Sequence, residues 1–224
     1  MRKSLKIGFV FSSILFISFI VFTVLLTKIN VDTIGPNNSK VGFALINEVM
    51  FKLFGKSNLF DKLSDVILLI SFLAPIGFVV LGIYQLIKRK SFKKVDSELY
   101  VLAITYILTL IIFIIFEFIT INYRPVLIEG KLERSYPSTH VLLSFTFLFT
   151  AIITLKNYIK RIRLRKIVNS FLLLIIIASI TFRILSGMHW FTDIIGATIL
   201  ATAITTLYHS FVLVIRSKRE IKKN

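Results

Sequence analysis

Cysteine is absent from this 224-residue chain, which excludes disulfides, thiolate metal sites and a cysteine nucleophile. Histidine is scarce, with three residues, and 11 acidic residues face 28 lysines and arginines. No cluster of carboxylates suited to Mg²⁺ or to a pair of metal ions stands out. Internal repeats, heptad arrays and low-complexity tracts are missing as well. What fills the chain is apolar. It is 56% hydrophobic, its mean hydropathy is +0.85, and apolar runs of about 20 residues recur. The expected fold is all-α: a polytopic membrane protein, a six-transmembrane-helix bundle forming one integral-membrane domain over residues 1–224.

Six segments are long and apolar enough to span: Leu5–Leu26, Val66–Ile87, Leu99–Ile121, Val141–Leu155, Ile167–Leu185 and Ile194–Ile215. With the N-terminus in the cytoplasm, nineteen of the 28 basic residues flank the spans on the inside, from Arg2, Lys3 and Lys6 to Lys222 and Lys223. The outside pieces are diluted by Asp32, Glu48, Asp61, Asp65, Glu129 and Glu133. The positive-inside rule then places both termini in the cytoplasm. The net charge of +17 is thus read as a topology and anionic-lipid signal rather than a nucleic-acid one. The first segment reads as a retained signal anchor, because its apolar run exceeds a signal-peptide core and no convincing A-x-A site follows. Residues 28–64 form the longest external connection. Within it, Val41–Phe54 carries Val41, Leu45, Ile46, Val49 and Leu53 at helical spacing, which fits an interfacial helix or loop packing against the bundle.

Three polar clusters fall on the external side: Arg124-Pro125, Pro137-Ser138-Thr139-His140, and the stretch from Arg183 to Asp193. Ionisable groups in or beside apolar spans are expensive, from about 2.5 kcal/mol upward at a bilayer centre, and are read first as functional. His189 and Asp193 stand four apart, so on one helical face the carboxylate can orient the imidazole. Arg183 and Arg124 can supply anion clamps. Ser138 or Thr139 can cap the fourth span, whose free amides form an anion site beside His140. Each cluster alone has an ordinary reading: a helix cap with an interfacial histidine, an arginine anchor, and an aromatic-belt Trp190. Together they make a site for a phosphate dianion with a nucleophile and an acid. Two histidines and an aspartate could also bind a transition metal, but Asp193 is better placed as the partner of His189 than as a ligand. Neither a metal nor a cofactor is expected.

These residues resemble the type 2 phosphatidic acid phosphatase superfamily, whose signatures run K-x6-R-P, P-S-G-H and S-R-x5-H-x3-D. Here they read Glu117-x6-Arg124-Pro125, Pro137-Ser138-Thr139-His140 and Phe182-Arg183-x5-His189-x3-Asp193. The resemblance extends over all six spans. It implies that His189 attacks phosphorus and forms a phosphohistidine while Asp193 holds its ring. It further implies that His140 protonates the departing oxygen and then activates water. Arg124, Arg183, Ser138 and the amides near Thr139 are implied to hold the phosphoryl oxygens.

Three positions depart from the pattern. Thr139 stands for glycine, Phe182 for serine and Glu117 for lysine. The last turns a cationic phosphate contact into an anion, and Lys131 or Arg134 could supply the lost charge. Seven residues before Arg124 on the same helix, Glu117 is expected about 10 Å deeper, paired with Arg183 or Arg124 and with an orienting role.

The implied activity is metal-independent hydrolysis of a lipid phosphate or pyrophosphate at the outer face of a bacterial plasma membrane. Undecaprenyl pyrophosphate, phosphatidylglycerol phosphate and phosphatidic acid are unranked. The implied partners are membrane lipids and the lipid phosphate substrate, with no nucleic acid and no obligate protein partner. Two other readings are a catalytically weak lipid-phosphate-binding protein of the same fold and a small transporter. The transporter is disfavoured by ionisable residues gathered at one face and by the lack of a duplicated half.

Overall fold

The computed structural model describes residues 2–221. Of the basic flanks, Lys222 and Lys223 lie outside the described residues. All regular elements are helical: α1 (Arg2–Leu26), α2 (Ala44–Phe54), α3 (Asn58–Ser71), α4 (Leu73–Arg89), α5 (Ser97–Phe118), α6 (Thr139–Leu155), α7 (Ile162–Ser186) and α8 (Phe191–Ile221). Five stretches are long and apolar enough to cross a membrane: α1, α3–α4 together over Asn58–Arg89, α5, α7 and α8.

Helix α6, at 17 residues, is shorter than these. At 1.5 Å per residue it covers about 25 Å, less than a hydrocarbon core of about 30 Å. It tolerates this because it sits inside the bundle, packed against α7, α8, α3 and α5. Its buried face carries Ser144, Thr146, Thr150 and Thr154; the hydroxyls of Thr150 and Thr154 bond to the preceding turn and to Tyr106 and Tyr208. Helix α8 is the other central element. Its small residues Gly196, Ala197, Ala201 and Ala203 let α1 and α6 approach closely, which is how helices associate when lipid supplies no hydrophobic drive. A Cβ at Gly196 would collide with the Tyr136 ring. Helix α1 lies along α8, buries Phe19 and Leu26, and donates from Ser12 Oγ to the Ala203 carbonyl at 3.0 Å.

The second span begins earlier than its hydropathy suggests. Helix α3 starts at Asn58, and Phe72 breaks the run before α4. The external connection therefore ends at residue 57 rather than 64, and Asp61 and Asp65 belong to a helix. Helix α2 turns Asn47 inward and leaves Leu45, Ile46, Val49 and Leu53 exposed, an orientation suited to a bilayer surface. Asn47 pins it: Nδ2 donates to Thr192 Oγ1 at 2.9 Å, and Oδ1 accepts from the Thr192 amide at 3.1 Å.

The third span ends at Phe118, three residues short of the expected Ile121. The β-branched run Ile119-Thr120-Ile121 favours extended backbone, and Pro125 disfavours helical geometry at Arg124. The chain instead forms a hairpin, pairing Tyr123 with Arg134 and Ile128 with Lys131 across a turn at Glu129-Gly130, both at positive φ. Arg124 is consequently not on the helix of Glu117.

At the far end of the bundle, Glu98 accepts two hydrogen bonds from Arg219, at 2.9 and 2.6 Å. Asp96 accepts from Arg89, Gln85 and Tyr158 at 2.8–2.9 Å. The basic flanks of α4, α6, α7 and α8 gather there, while the three polar clusters meet at the opposite end.

Candidate active site

The site forms where the hairpin of residues 122–135, the start of α6, the end of α7 and the start of α8 meet. His189 lies in the link between α7 and α8, not on a helix. Gly187 makes that link possible. It caps α7 in the left-handed region, at φ 63°, and a Cβ there would collide with the Gly55 carbonyl oxygen. The amide of Ser57 donates to the Ser186 carbonyl at 3.0 Å, binding the strap before α3 to the same link.

His189 is buried, and its Nδ1 lies 2.8 Å from the Ser135 carbonyl oxygen. A carbonyl only accepts, so Nδ1 carries the hydrogen and Nε2 keeps the lone pair. The Nη1 of Arg124 donates to Nε2 at 3.3 Å and to the Met188 carbonyl at 3.3 Å. Burial, then the charges of Arg183, Arg124 and His140, hold the His189 imidazole well below the usual histidine range. The ring is therefore neutral at ordinary pH, with its lone pair on Nε2.

Asp193 corrects an expectation. Because His189 precedes α8, the two do not share a helical face, and their closest approach is 3.6 Å. The carboxylate serves the helix start. Its Oδ2 accepts from the Trp190 amide at 3.0 Å, the reach-back of a capping box. Its Oδ1 accepts from Asn122 Nδ2 at 3.1 Å. Ring orientation comes from Ser135, and Asp193 places a buried carboxyl group beside it. Trp190 is likewise not a belt residue. It is buried, donates from Nε1 to the Tyr123 carbonyl at 2.7 Å, and packs on Phe51 at 5.7 Å.

Arg183 is 2% exposed in the last turn of α7, and its Nη1 donates to Asp61 Oδ1 at 2.7 Å. Phe182 packs on Phe60 at 5.5 Å, which fixes α3 beside this pair. His140 Nε2 lies 2.8 Å from Asp65 Oδ1. Ser138 occupies the N-cap of α6, but its side chain makes no cap bond, contrary to the sequence expectation; its amide donates to the Asp193 carbonyl at 3.1 Å. Ser138 Oγ, Arg183 Nε and His140 Nδ1 are buried without a hydrogen-bond partner among the described residues. Leaving such atoms unsatisfied costs about 1–3 kcal/mol each. With the first-turn amides at Thr139, Ser138 Oγ and Arg183 Nε form a donor set that matches the oxygens of a tetrahedral oxyanion, and His140 Nδ1 stands beside it.

Glu117 does not pair with Arg183 or Arg124. Its carboxylate is exposed and makes no hydrogen bond or ion pair among the described residues, and it shares a recess with Arg124, Thr139 and His189. Arg124 instead meets Glu133, with Nε 3.2 Å from Oε2. Arg134 closes the end of α5, donating from Nη1 to the Glu117 carbonyl at 2.7 Å and from Nε to Thr120 Oγ1 at 2.8 Å. Among the described residues, no three His, Asp or Glu side chains converge as metal ligands.

Sequence reasoning missed Asp61, Asp65, Asn122 and the Ser135 carbonyl. The acidic pair had one signal, a four-residue spacing at the head of an apolar run. The other two had none.

The fold is that of an all-α, multi-pass membrane protein, with His189 at the centre of a buried polar cluster. Residues 117–216, which contain all three signatures, match the model of the PAP2 superfamily. A similar solved structure is the "first transmembrane PAP2 type phosphatidylglycerolphosphate phosphatase from Bacillus subtilis". It is 18% identical and aligns over 91% of this chain and 96% of that one, with a TM-score of 0.60, a likeness of fold. Comparison with curated proteins gives no match.

Proposed function

We propose that this protein is a lipid phosphatase that hydrolyses a phosphate ester or anhydride through a phosphohistidine on His189. The observation that carries the reading is the arrangement at His189: Nδ1–H is held by the Ser135 carbonyl while Nε2 faces Arg124, with the charge of Arg183 close by. In that arrangement Nε2 attacks phosphorus. Arg124, Arg183, Ser138 Oγ and the Thr139 amide hold the equatorial oxygens, and Asp193 offsets the charge that develops on the ring. His140 donates a proton to the leaving oxygen and then activates water. The match of the motif-bearing segment to the PAP2 superfamily supports phosphatase chemistry. The solved relative makes phosphatidylglycerol phosphate the first substrate to assay, with undecaprenyl pyrophosphate and phosphatidic acid beside it. In this reading the active end faces outward from a bacterial plasma membrane, which the basic residues flanking the spans at the other end support.

Phosphate release by the purified protein from these three lipids tests the reading. Release should survive EDTA, be inhibited by vanadate, and vanish with phosphoenzyme formation in His189→Gln. The unpaired Glu117 carboxylate on the recess wall favours one rival, a lipid-phosphate-binding protein with weak turnover. That rival predicts binding of the same lipids with no phosphoenzyme.

A further inference from the structure

Helix α3 contributes to none of the three signatures, yet it supplies carboxylates to residues of two. Asp61 and Asp65 stand one turn apart on the same face. Asp61 meets Arg183, and Asp65 Oδ1 lies 2.8 Å from His140 Nε2. A carboxylate only accepts, so Nε2 carries the hydrogen and Nδ1 is the exchanging atom of the neutral ring. That Nδ1 is buried with no partner among the described residues, while the Asp65 side chain is 59% exposed. The ring thus bridges a solvent-facing carboxylate and the interior of the site. Arg183 from α7 and Arg124 from the hairpin also act on it, so an imidazolium there requires a counter-charge.

We infer that Asp65 is the positioning residue of the proton-transfer histidine, and that His140 works through Nδ1. The inference rests on reading His140 as the acid of a phosphohydrolase. In the first step the bond from phosphorus to the leaving oxygen breaks and a bond to His189 Nε2 forms. The proton on Nδ1 of the His140 imidazolium passes to the leaving oxygen. In the second step Nδ1 takes a proton from water, whose oxygen bonds to phosphorus as the P–N bond breaks and its electron pair returns to Nε2. Asp65 accepts from Nε2–H throughout and offsets the ring charge whenever Nδ1 is protonated.

The experiment is phosphoenzyme formation in a single turnover, on an alkyl phosphate lipid and on p-nitrophenyl phosphate, whose leaving group needs little protonation. Asp65→Ala should slow the alkyl ester about 10- to 100-fold, part of the roughly 10²–10⁴ that a general acid contributes, and the aryl ester by less than about threefold. Asp65→Glu should recover much of the loss. Asp65→Ala added to His140→Ala should cost nothing further. Equal losses on both esters, or additive losses in the double variant, would overturn the inference. Nitrogen-15 spectra of His140, in protein carrying His189→Gln and His209→Gln, read the ring without turnover. The Nε2–H tautomer is expected, shifting toward a mixture in Asp65→Ala; an Nδ1–H tautomer in the parent would overturn the contact. If the unmodified protein forms no phosphoenzyme on either ester, the phosphatase reading fails by itself, and the tautomer still decides whether Asp65 sets the ring.

Discussion

Arg183 Nη1 donates to Asp61 Oδ1 at 2.7 Å, joining the last turn of α7 to the first turns of α3 across 122 positions of sequence. The guanidinium is almost wholly buried and the carboxylate is about three-quarters so. Such a pair both holds two helices together and aims the remaining guanidinium donors. Breaking it leaves a buried cation without a partner.

Asp61→Ala should therefore lower stability by about 1.5–3 kcal/mol, the range for a hydrogen bond to a charged group. Unfolding in mixed micelles measures this. Added inorganic phosphate should return part of the loss, because an oxyanion replaces the carboxylate beside Arg183. Unchanged unfolding with and without phosphate would show that the pair does not stabilise the bundle.

The depressed His189 imidazole gives a signed pH dependence. A histidine held below its unfolded value of about 6.5 stays neutral in the folded protein, while the unfolded chain takes up the proton first. Its contribution to stability is complete above about pH 6.5 and declines as pH falls from there toward the folded value. Nucleophilic Nε2 should likewise persist below pH 6.5, so the acid limb of phosphoenzyme formation lies beneath that point. Arg124→Gln removes one of the cations responsible and should move the limb upward. A limb at or above 6.5 in the unmodified protein would contradict the burial of a neutral ring.

Sidedness can be read with cysteines, since the chain has none of its own. Lys131, exposed at the hairpin, and Arg163, exposed at the opposite end of α7, are suitable positions. Lys131→Cys should react with an impermeant maleimide in intact cells or spheroplasts, and Arg163→Cys only after permeabilisation. The reverse pattern would turn the site toward the cytoplasm and remove outer-leaflet substrates.

Glu117→Gln should change stability by less than about 0.5 kcal/mol, as for surface substitutions that break no contact. Glu117→Lys should also fold, because Arg134 already satisfies the end of α5 through the backbone. Any effect of either change should appear in KM, through the charge of the recess shared with Arg124 and His189. A loss of folding in Glu117→Gln would show that the carboxylate has a structural partner after all.

The sequence alone determined the helical membrane class and where each span lies, although it started the second at Val66 where the helix begins at Asn58. It also singled out the residues of three of the segments that meet at the site. Long apolar runs leave the backbone no alternative to helices, and His140, Arg183, His189 and Asp193 were conspicuous because ionisable groups beside such runs are costly. Where the third span ends was decided by Pro125 and the β-branched run before it, a local effect that hydropathy does not register. The partners of each site residue were decided by tertiary structure. Asp61 and Asp65 lie far in sequence from Arg183 and His140, and only the packing of α3 against α6 and α7 brings them within hydrogen-bond reach. The same holds for His189. Its four-residue spacing from Asp193 suggested a shared helical face, but the left-handed turn at Gly187 keeps it off the helix, and the hairpin brings the Ser135 carbonyl to its Nδ1. Residue identity set the chemistry available, and the meeting of distant backbone segments set which nitrogen of each histidine is engaged and which is left free.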